Sequence, residues 1–260
     1  MSTTFAAGEE QWRAHLGSLR QVVRQELVTR QLAGHLGGRP GFRALDVGCG
    51  QGTQVLRLAR RGHLVTGLDS SPSLLQDLDQ ARRAEPPEVA GRVRLVRGDA
   101  LSAGGLFAAA SFDVVLCHGV LMYLPDPGPV LAAIARVTAP GGLVSLLVRN
   151  GDALAMRPGL QGDWAAAAAA FAGPGYRNRL GVQARADRRA DLTAALAALG
   201  LRVESWYGVR LFTDQAGDDA PVPDADTLRL LLDCEERAGR SDPYRAVAAL
   251  LHLLARRPAG

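Results

Sequence analysis

The chain has 260 residues, 47% of them hydrophobic and 22% charged, which excludes a disordered polypeptide and allows one large domain with a buried core. All 30 basic residues are arginines and the net charge is only +4, so charge alone does not indicate a nucleic-acid partner. No apolar run is long enough to span a membrane and the first residues lack the apolar core of a secretory signal, so we expect a cytoplasmic protein.

The first 150 residues show helical periodicity and then an alternation of strands and helices. Apolar positions in residues 9–36 predict one long helix or two short helices that end near Gly37. From residue 39 onward, strands are predicted at residues 42–47, 64–69, 93–99, 112–117 and 141–150. The helices between them are predicted at residues 53–62, 71–84 and 129–139, with Ser71 as an N-cap. This alternation is typical of a parallel sheet with helices on both faces.

The pattern changes after residue 150. Residues 151–190, which we call the lid segment, are rich in Gly, Arg and Ala and predict a helix near residues 164–171. The remaining residues predict a helix at 191–200 and a strand at 201–212. A mobile acidic loop at 214–226 and a second helix at 227–239 follow. The last element is compatible with a strand or a helix, and we interpret it as a strand. The chain thus divides into an N-terminal helical segment (1–38), a core (39–150), the lid segment (151–190) and a C-terminal part of the same domain (191–260).

A glycine-rich turn, LDVGCGQGTQ, follows the first predicted strand at residues 45–54. It contains Gly48, Gly50 and Gly52 after the strand-end carboxylate Asp46. A dinucleotide fingerprint would need glycine at position 53, where this chain has Thr53. The turn alone is therefore compatible with a small ligand that approaches the backbone closely, and equally with a tight strand-to-helix connection.

Two further carboxylates stand at predicted strand ends. Asp69 closes the second strand, where it either accepts hydrogen bonds from ribose hydroxyls or caps the next helix. Asp99 closes the third strand, where it either accepts from an adenine amine or stabilises its own turn. Because the carboxyl ends of parallel strands share one edge of the sheet, the carboxylates and the glycine turn together favour a ligand site.

Four segments resemble, in order, the motifs of class I S-adenosylmethionine-dependent methyltransferases: ALDVGCGQGTQ, VTGLDSSPSLL, VRLVRGDA and FDVVLCHGVLMYLPDPGPVLAAIARVTAPGGLVSL. The resemblance covers about residues 40–150. It implies an α/β Rossmann-like fold with a seven-stranded sheet whose last strand is antiparallel. It also implies that the glycine turn holds S-adenosylmethionine.

A narrower resemblance, to the SmtA/CmoM group, runs nearly end to end. It rests on LRQVVRQEL, LCHGVLMYLPDP, GVRLFTD and LLLDCEERAGRSDPYRAVAALLHLLARRP. That group esterifies 5-carboxymethoxyuridine at the tRNA wobble position, so the resemblance implies O-methylation of a carboxylate. It implies cofactor contacts at Arg20, Gly48 with Cys49, Asp69, Asp99 with Ala100, and His118. We also count as cofactor-binding candidates the neighbouring residues Asp46, Gly50, Gly52 and Ser70.

The chain departs from that group where a substrate would bind. Met122 and Tyr123 stand in place of an acidic-aromatic pair, and an arginine-rich sequence replaces a lysine-rich part of the lid segment. Two alternatives therefore stay open, a small-molecule methyltransferase of specialised metabolism and a cofactor-binding protein without catalysis. The partner is accordingly either tRNA or an anionic small molecule.

Acceptor-pocket candidates are His118, Tyr123 and Arg210. A carboxylate acceptor is already ionised at neutral pH, so none of them is required as a general base. Arg210 lies among apolar residues of a predicted strand and is the candidate for binding an anionic group. Five arginines in the lid segment either follow an RNA backbone or form a solvated face: Arg177, Arg179, Arg185, Arg188 and Arg189.

The three cysteines, Cys49, Cys117 and Cys234, are scattered without a CxxC pattern or a histidine at ligand spacing. We expect reduced packing residues and no metal site.

Overall fold

The computed structural model describes residues 8–259, and none of its helices within that range is long and apolar enough to cross a membrane. Residues 1–7, the start of the predicted N-terminal segment, lie outside the described residues. The strands are β1 (Arg43–Val47), β2 (Leu64–Asp69), β3 (Val93–Arg97), β4 (Phe112–His118), β5 (Thr138–Arg149), β6 (Gly175–Arg177), β7 (Gln183–Arg185), β8 (Arg202–Val209) and β9 (Leu250–Arg256).

The helices cover the sheet and form the lid segment. They are α1 (Glu9–Ala14), α2 (Leu19–Leu36), α3 (Thr53–Arg60), α4 (Pro72–Arg83), α5 (Pro87–Ala90), α6 (Ala103–Leu106), α7 (Gly128–Val137), α8 (Met156–Leu160), α9 (Trp164–Ala172), α10 (Arg189–Ala198) and α11 (Ala225–Arg240). The periodic N-terminal residues thus form two helices, and the second is capped by Gly37, whose φ is +63°. The predicted N-cap is confirmed, because Ser71 Oγ accepts a hydrogen bond from the Leu74 N–H at 3.3 Å.

Seven strands form one sheet in the order β3-β2-β1-β4-β5-β9-β8. Strands β1 to β5 are parallel, and β9 is antiparallel to both of its neighbours, as predicted. The ambiguous last element is therefore a strand. All its residues from Leu250 to Ala255 are buried, so its continuous leucine run fits a strand that packs on both faces.

Alternate residues of the central strands pack on opposite faces of the sheet. Leu45 and Val115 belong to a core that includes α7, whereas Ala44 and Leu116 belong to a core that includes α2 and α3. The order of the strands reverses between β1 and β4, so the connections that follow these two strands diverge. This divergence opens a crevice at the carboxyl edge of the sheet.

The lid segment contains α8, the confirmed helix α9 and a two-stranded hairpin of β6 and β7 that the sequence did not predict. Cys49 and Cys117 are buried, as expected of packing residues. Cys234 is exposed on α11, so the expectation that it packs in the core is wrong.

Gly52 provides a test of the glycine turn. Its φ is +81°, and an added Cβ would lie 2.1 Å from Cδ1 of Leu78. We expect Gly52→Ala to lower the free energy of unfolding by about 2 to 4 kcal/mol, through backbone strain and overpacking together. The matched control is Gly141→Ala, where φ is +73° but no atom lies within 4 Å of the added Cβ, so only strain of about 1 kcal/mol applies. Equal losses in urea unfolding would contradict the packing argument.

Candidate active site

A cavity of about 640 Å³ lies at the carboxyl edge of the sheet. Its walls come from the glycine turn after β1, the residues that follow β2, β3 and β4, the end of β5, the first part of α2 and the lid segment. We distinguish a cofactor half, beside the glycine turn, from an acceptor half, beside β5 and the lid segment.

The glycine turn and the β2 tip form the floor of the cofactor half. Gly48 and Gly50 have φ of +72° and +56°, and an added Cβ at Gly48 would lie 2.3 Å from Cγ2 of Val120. Asp69 accepts hydrogen bonds from the Gly50 N–H at 2.8 Å and from the Ser71 N–H at 2.9 Å. This carboxylate therefore holds the turn in place and still reaches the cavity wall.

Most of the predicted site residues line the cavity: Arg20, Gly48, Gly50, Asp69, Ser70, Asp99, Ala100, His118, Tyr123 and Arg210. Three do not. Asp46 is 4% exposed and Cys49 is 8% exposed, both behind the wall, and Gly52 packs against Leu78. These three residues lie behind the cavity surface, and their contact with a cofactor stays a prediction.

Asp99 combines the two roles that the sequence left open. It lies on the cavity wall, and its Oδ1 accepts a hydrogen bond from the Leu101 N–H at 2.9 Å within its own turn. The turn fixes the direction of the carboxyl group, so local stabilisation and ligand contact are compatible at this residue.

Arg20 is 6% exposed and lines the cavity. Its guanidinium forms an ion pair with Asp218, which also pairs with Arg179 at 3.0 Å. The Nε–H of Arg20 has no acceptor among the described residues. Arg20 can therefore donate to an anionic group in the cavity while it keeps Asp218.

His118 and Tyr123 also line the cavity. His118 Nε2 lies 2.8 Å from Ser145 Oγ, and the Tyr123 hydroxyl accepts from Asn178 at 3.2 Å. Burial lowers the pKa of His118 well below its usual value and raises the pKa of Tyr123 to about 12. At neutral pH the imidazole is uncharged and the phenol is protonated.

Four arginines, which we call the acceptor-side arginines, line the acceptor half: Arg149, Arg157, Arg179 and Arg210. Asp214 forms ion pairs with Arg149 at 3.3 Å and with Arg210 at 3.1 Å. Burial lowers the pKa of Arg210 to about 10, so this guanidinium is still charged at neutral pH. The acceptor half is consequently rich in buried positive charge.

Glu235 of α11 fixes the chain around Arg210. Its carboxylate accepts hydrogen bonds from the N–H groups of Leu211, Phe212 and Thr213 at 2.8 to 3.0 Å. The expectation of a mobile loop is therefore wrong for its first residue, because Asp214 is 5% exposed and held by two arginines. No local signal in the sequence indicates that a helix carboxylate 24 residues further on organises this turn.

The five lid-segment arginines do not act as one surface. Arg177 and Arg179 line the cavity. Arg185 pairs with Asp187, Arg188 lies 3.8 Å from Asp152, and the Arg189 guanidinium lies 4.9 Å from the Trp206 ring centre.

The sequence interpretation missed Arg149, Arg157 and Arg24, which also line the cavity. Arg24 donates to the His118 carbonyl at 3.2 Å. Arg149 had a detectable signal, because it is a charged residue at the carboxyl end of an apolar strand, as Asp69 is. Arg157 and Arg24 had none beyond the general abundance of arginine.

Comparisons with known proteins agree with this geometry. Residues 45–146 match the family described as "Methyltransferase domain". The chain is also 28% identical over 242 residues to the tRNA 5-carboxymethoxyuridine methyltransferase of Escherichia coli K12, covering 93% of this chain and 89% of the relative. The chain is an S-adenosylmethionine-dependent methyltransferase.

Other relatives match a shorter part of the methyltransferase. The ubiquinone biosynthesis O-methyltransferase of Klebsiella pneumoniae is 37% identical over 155 residues, covering 58% of this chain and 62% of the relative.

Solved structures share the fold. A methyltransferase of Thermotoga maritima, described as a possible histamine N-methyltransferase, superposes with a TM-score of 0.62 at 14% identity, covering 98% of this chain and 99% of that chain. The 1,6-didemethyltoxoflavin N1-methyltransferase of Burkholderia thailandensis superposes with a TM-score of 0.55 at 21% identity, covering 98% and 88%.

The cofactor of this methyltransferase is S-adenosylmethionine, and the residues present fit it. Gly48 and Gly50 place no side chain of their own in the wall beside Asp69, and Arg20 on the same cavity wall has an Nε–H without a partner among the described residues. When bound, the cofactor supplies a methyl group on a sulfonium. The protein's task is to align an acceptor with that group and to exclude water. No cluster of three or more metal-ligating side chains occurs within residues 8–259.

Asp46 should make stability depend on pH. Burial, assisted by the charge of Asp69, raises the pKa of Asp46 to about 7. The folded protein then holds a proton that the unfolded chain loses near pH 4, so stability falls as pH rises from about 4 to 7 and then levels off. We expect the stability of Asp46→Asn relative to wild type to grow by roughly 1 to 4 kcal/mol between about pH 5 and pH 8.

Denaturant unfolding of both proteins at each pH measures this difference. Asp226→Asn, at an exposed position of α11, is the control and should show no such trend. A difference for Asp46→Asn that does not change with pH would mean that Asp46 is ionised throughout the range.

Proposed function

We propose that this methyltransferase transfers a methyl group to a carboxylate oxygen, and that the acceptor is a 5-carboxymethoxyuridine at the wobble position of tRNA. The excess of buried guanidinium groups in the acceptor half carries this proposal. Support for the tRNA nucleoside comes from the name of the E. coli relative, which matches nearly the whole chain. Such an acceptor would place the enzyme in the cytoplasm.

The charge balance of the acceptor half favours an anion. Among the described residues, two carboxylates pair with the acceptor-side arginines, Asp214 and Asp218, and Asp218 is shared with Arg20. Arg157 has no ion pair among the described residues, although it lies on the cavity wall. Arg157 is half-buried, and a partly desolvated charge without a partner is costly, so an anionic ligand group would be stabilised there.

The neutral state of the nearby side chains suits a carboxylate acceptor. An alcohol, phenol or ammonium acceptor must lose a proton before or during methyl transfer, which usually requires a general base. A carboxylate is ionised at neutral pH and needs none. His118 and Tyr123 can then act by hydrogen bonding and shape, while the arginines direct one carboxylate oxygen toward the methyl group.

Arg157 gives the cleanest test of anion recognition because no ion pair is broken by its removal. We expect Arg157→Ala to raise the KM for a carboxylate acceptor by roughly 10- to 100-fold, the effect of losing a charge-assisted hydrogen bond, with the Kd for S-adenosylmethionine unchanged. Steady-state kinetics and calorimetry measure the two quantities. Arg188→Ala, whose side chain lies away from the cavity and is 65% exposed, is the matched control. Equal losses of acceptor and cofactor binding would assign Arg157 a structural role instead.

The acceptor itself is tested by methyl transfer to tRNA from cells that lack the gene. We expect radiolabel from S-adenosylmethionine in tRNA and, after nucleoside digestion, the methyl ester of 5-carboxymethoxyuridine by mass spectrometry. Binding to tRNA should weaken at least about tenfold between roughly 50 and 200 mM salt, because phosphate contacts release counterions.

Label that appears only in a small metabolite would contradict the tRNA assignment. The apolar face of the lid, where Ala166, Ala169 and Ala170 line the cavity, would then be a wall for a compact acceptor.

A further inference from the structure

A chain of buried hydrogen bonds leads from the cavity through the sheet to α2. His118 Nε2 at the end of β4 lies 2.8 Å from Ser145 Oγ on β5. Ser145 Oγ lies 2.7 Å from His252 Nε2 on β9, and His252 Nδ1 lies 2.7 Å from Gln31 Oε1 on α2. Four side chains from four elements are thereby connected in one line, which we call the histidine chain.

The interior of the histidine chain is sealed from water. Ser145 and His252 are fully buried, and Gln31 is 1% exposed. His118 alone reaches the cavity. The strand register explains the alignment, because Leu147 is the common neighbour of His118 and His252, and Ser145 lies two residues before it on the same face of β5.

The polarity of the histidine chain follows from the orientation of the Gln31 amide. In this structure the amide oxygen faces the ring, so His252 Nδ1 carries the proton and donates to Gln31 Oε1, while Gln31 Nε2 has no partner among the described residues. His252 Nε2 then accepts from the Ser145 hydroxyl, and Ser145 Oγ accepts from His118 Nε2–H. Donation therefore runs the same way in all three bonds: His118 donates to Ser145, Ser145 donates to His252, and His252 donates to Gln31. The reverse orientation of the amide would reverse every bond of the chain.

We propose that Ser145, His252 and Gln31 are positioning residues that fix the tautomer of His118, so that Nε2 carries the proton and Nδ1 presents a lone pair to the bound ligands. Nδ1 of His118 makes no hydrogen bond to any other described residue. The group it recognises is thus a hydrogen-bond donor, an N–H or O–H of the cofactor or acceptor, and not a carboxylate. The tautomer stands on this structure alone, whereas the ligand contact rests on the proposed function.

This assignment separates two kinds of recognition within one cavity. An N–H at His118 would attract the acceptor's carboxylate and compete with the acceptor-side arginines. A lone pair leaves the anionic group to the arginines and accepts from a donor such as an ammonium or hydroxyl group. The polarity of the histidine chain therefore contributes to the orientation of the ligands.

The electrostatic surroundings keep both imidazoles neutral. Burial lowers the pKa of His252 to about 3 and that of His118 well below its usual value. Arg24 on α2 further disfavours a proton on His118, and His35 on α2 does so for His252. The Tyr207 ring on β8 packs beside His252, with the ring centres 6.2 Å apart. The tautomer should hence be the same at about pH 6 and pH 9.

Nitrogen-15 NMR of the full-length protein, labelled in its histidine rings and free of ligands, tests the tautomer directly. We expect the His118 signals of wild type to show a protonated Nε2 and an unprotonated Nδ1. Ser145→Ala should give a mixture of tautomers and raise the Kd for S-adenosylhomocysteine several-fold. Ser145→Thr keeps the hydroxyl and should restore both properties. The internal control is His63, a buried histidine stacked on Phe42 outside the histidine chain, whose signals should not move.

A second variant keeps the proposal testable if Ser145→Ala does not fold. Gln31→Leu removes the acceptor at the far end and should also mix the His118 tautomers, whereas Gln31→Glu keeps an acceptor oxygen and should preserve the wild-type state. A protonated Nδ1 in wild type, or a His118 tautomer that is unchanged in both Ser145→Ala and Gln31→Leu, would overturn the proposal. Since no acceptor is present in this experiment, its failure is distinguishable from a failure to methylate tRNA.

Discussion

The reversal of strand order between β1 and β4 is the constraint on which the site depends. It separates the connections that leave these strands and brings together groups that are far apart in the chain. The glycine turn, Asp69 and Asp99 thereby face His118 and Arg149 across one cavity. The strands that contribute cavity-lining site residues do so at their carboxyl ends, so the groups that face the ligands lie at one edge of the sheet. The interior of the sheet is left to packing and to the histidine chain.

Buried charge is distributed unevenly over that edge. In the cofactor half, carboxylates are tied to backbone N–H groups, as Asp69 is to Gly50 and Ser71. In the acceptor half, guanidinium groups outnumber the carboxylates that pair with them, and Glu235 secures the turn that carries Arg210. The first arrangement suits the hydroxyl and amine donors of an adenosyl group, and the second suits an anion. The sulfonium and the acceptor would meet where the two halves join, beside His118.

Much of the core could be predicted from the sequence because its signals are local. Alternating apolar runs, the glycine turn and Ser71 before Pro72 each depend on neighbouring residues only. The contacts that organise the acceptor half depend on distant residues, such as Glu235 with Leu211 and Asp218 with Arg20. Because every basic residue of the chain is an arginine, residue type alone does not distinguish the acceptor-side arginines from the others. Arg149 is the exception, because its position at the end of an apolar strand is a local signal.

The central claim is that one cavity holds an adenosyl cofactor at the strand tips and an anionic acceptor at the arginines. A crystal structure with S-adenosylhomocysteine and 5-carboxymethoxyuridine bound together tests it most directly. We expect the ribose hydroxyls on Asp69 and the acceptor's carboxylate within hydrogen-bonding distance of Arg157 or Arg210. An adenosyl group outside this cavity, or a carboxylate that points away from both arginines, would contradict it.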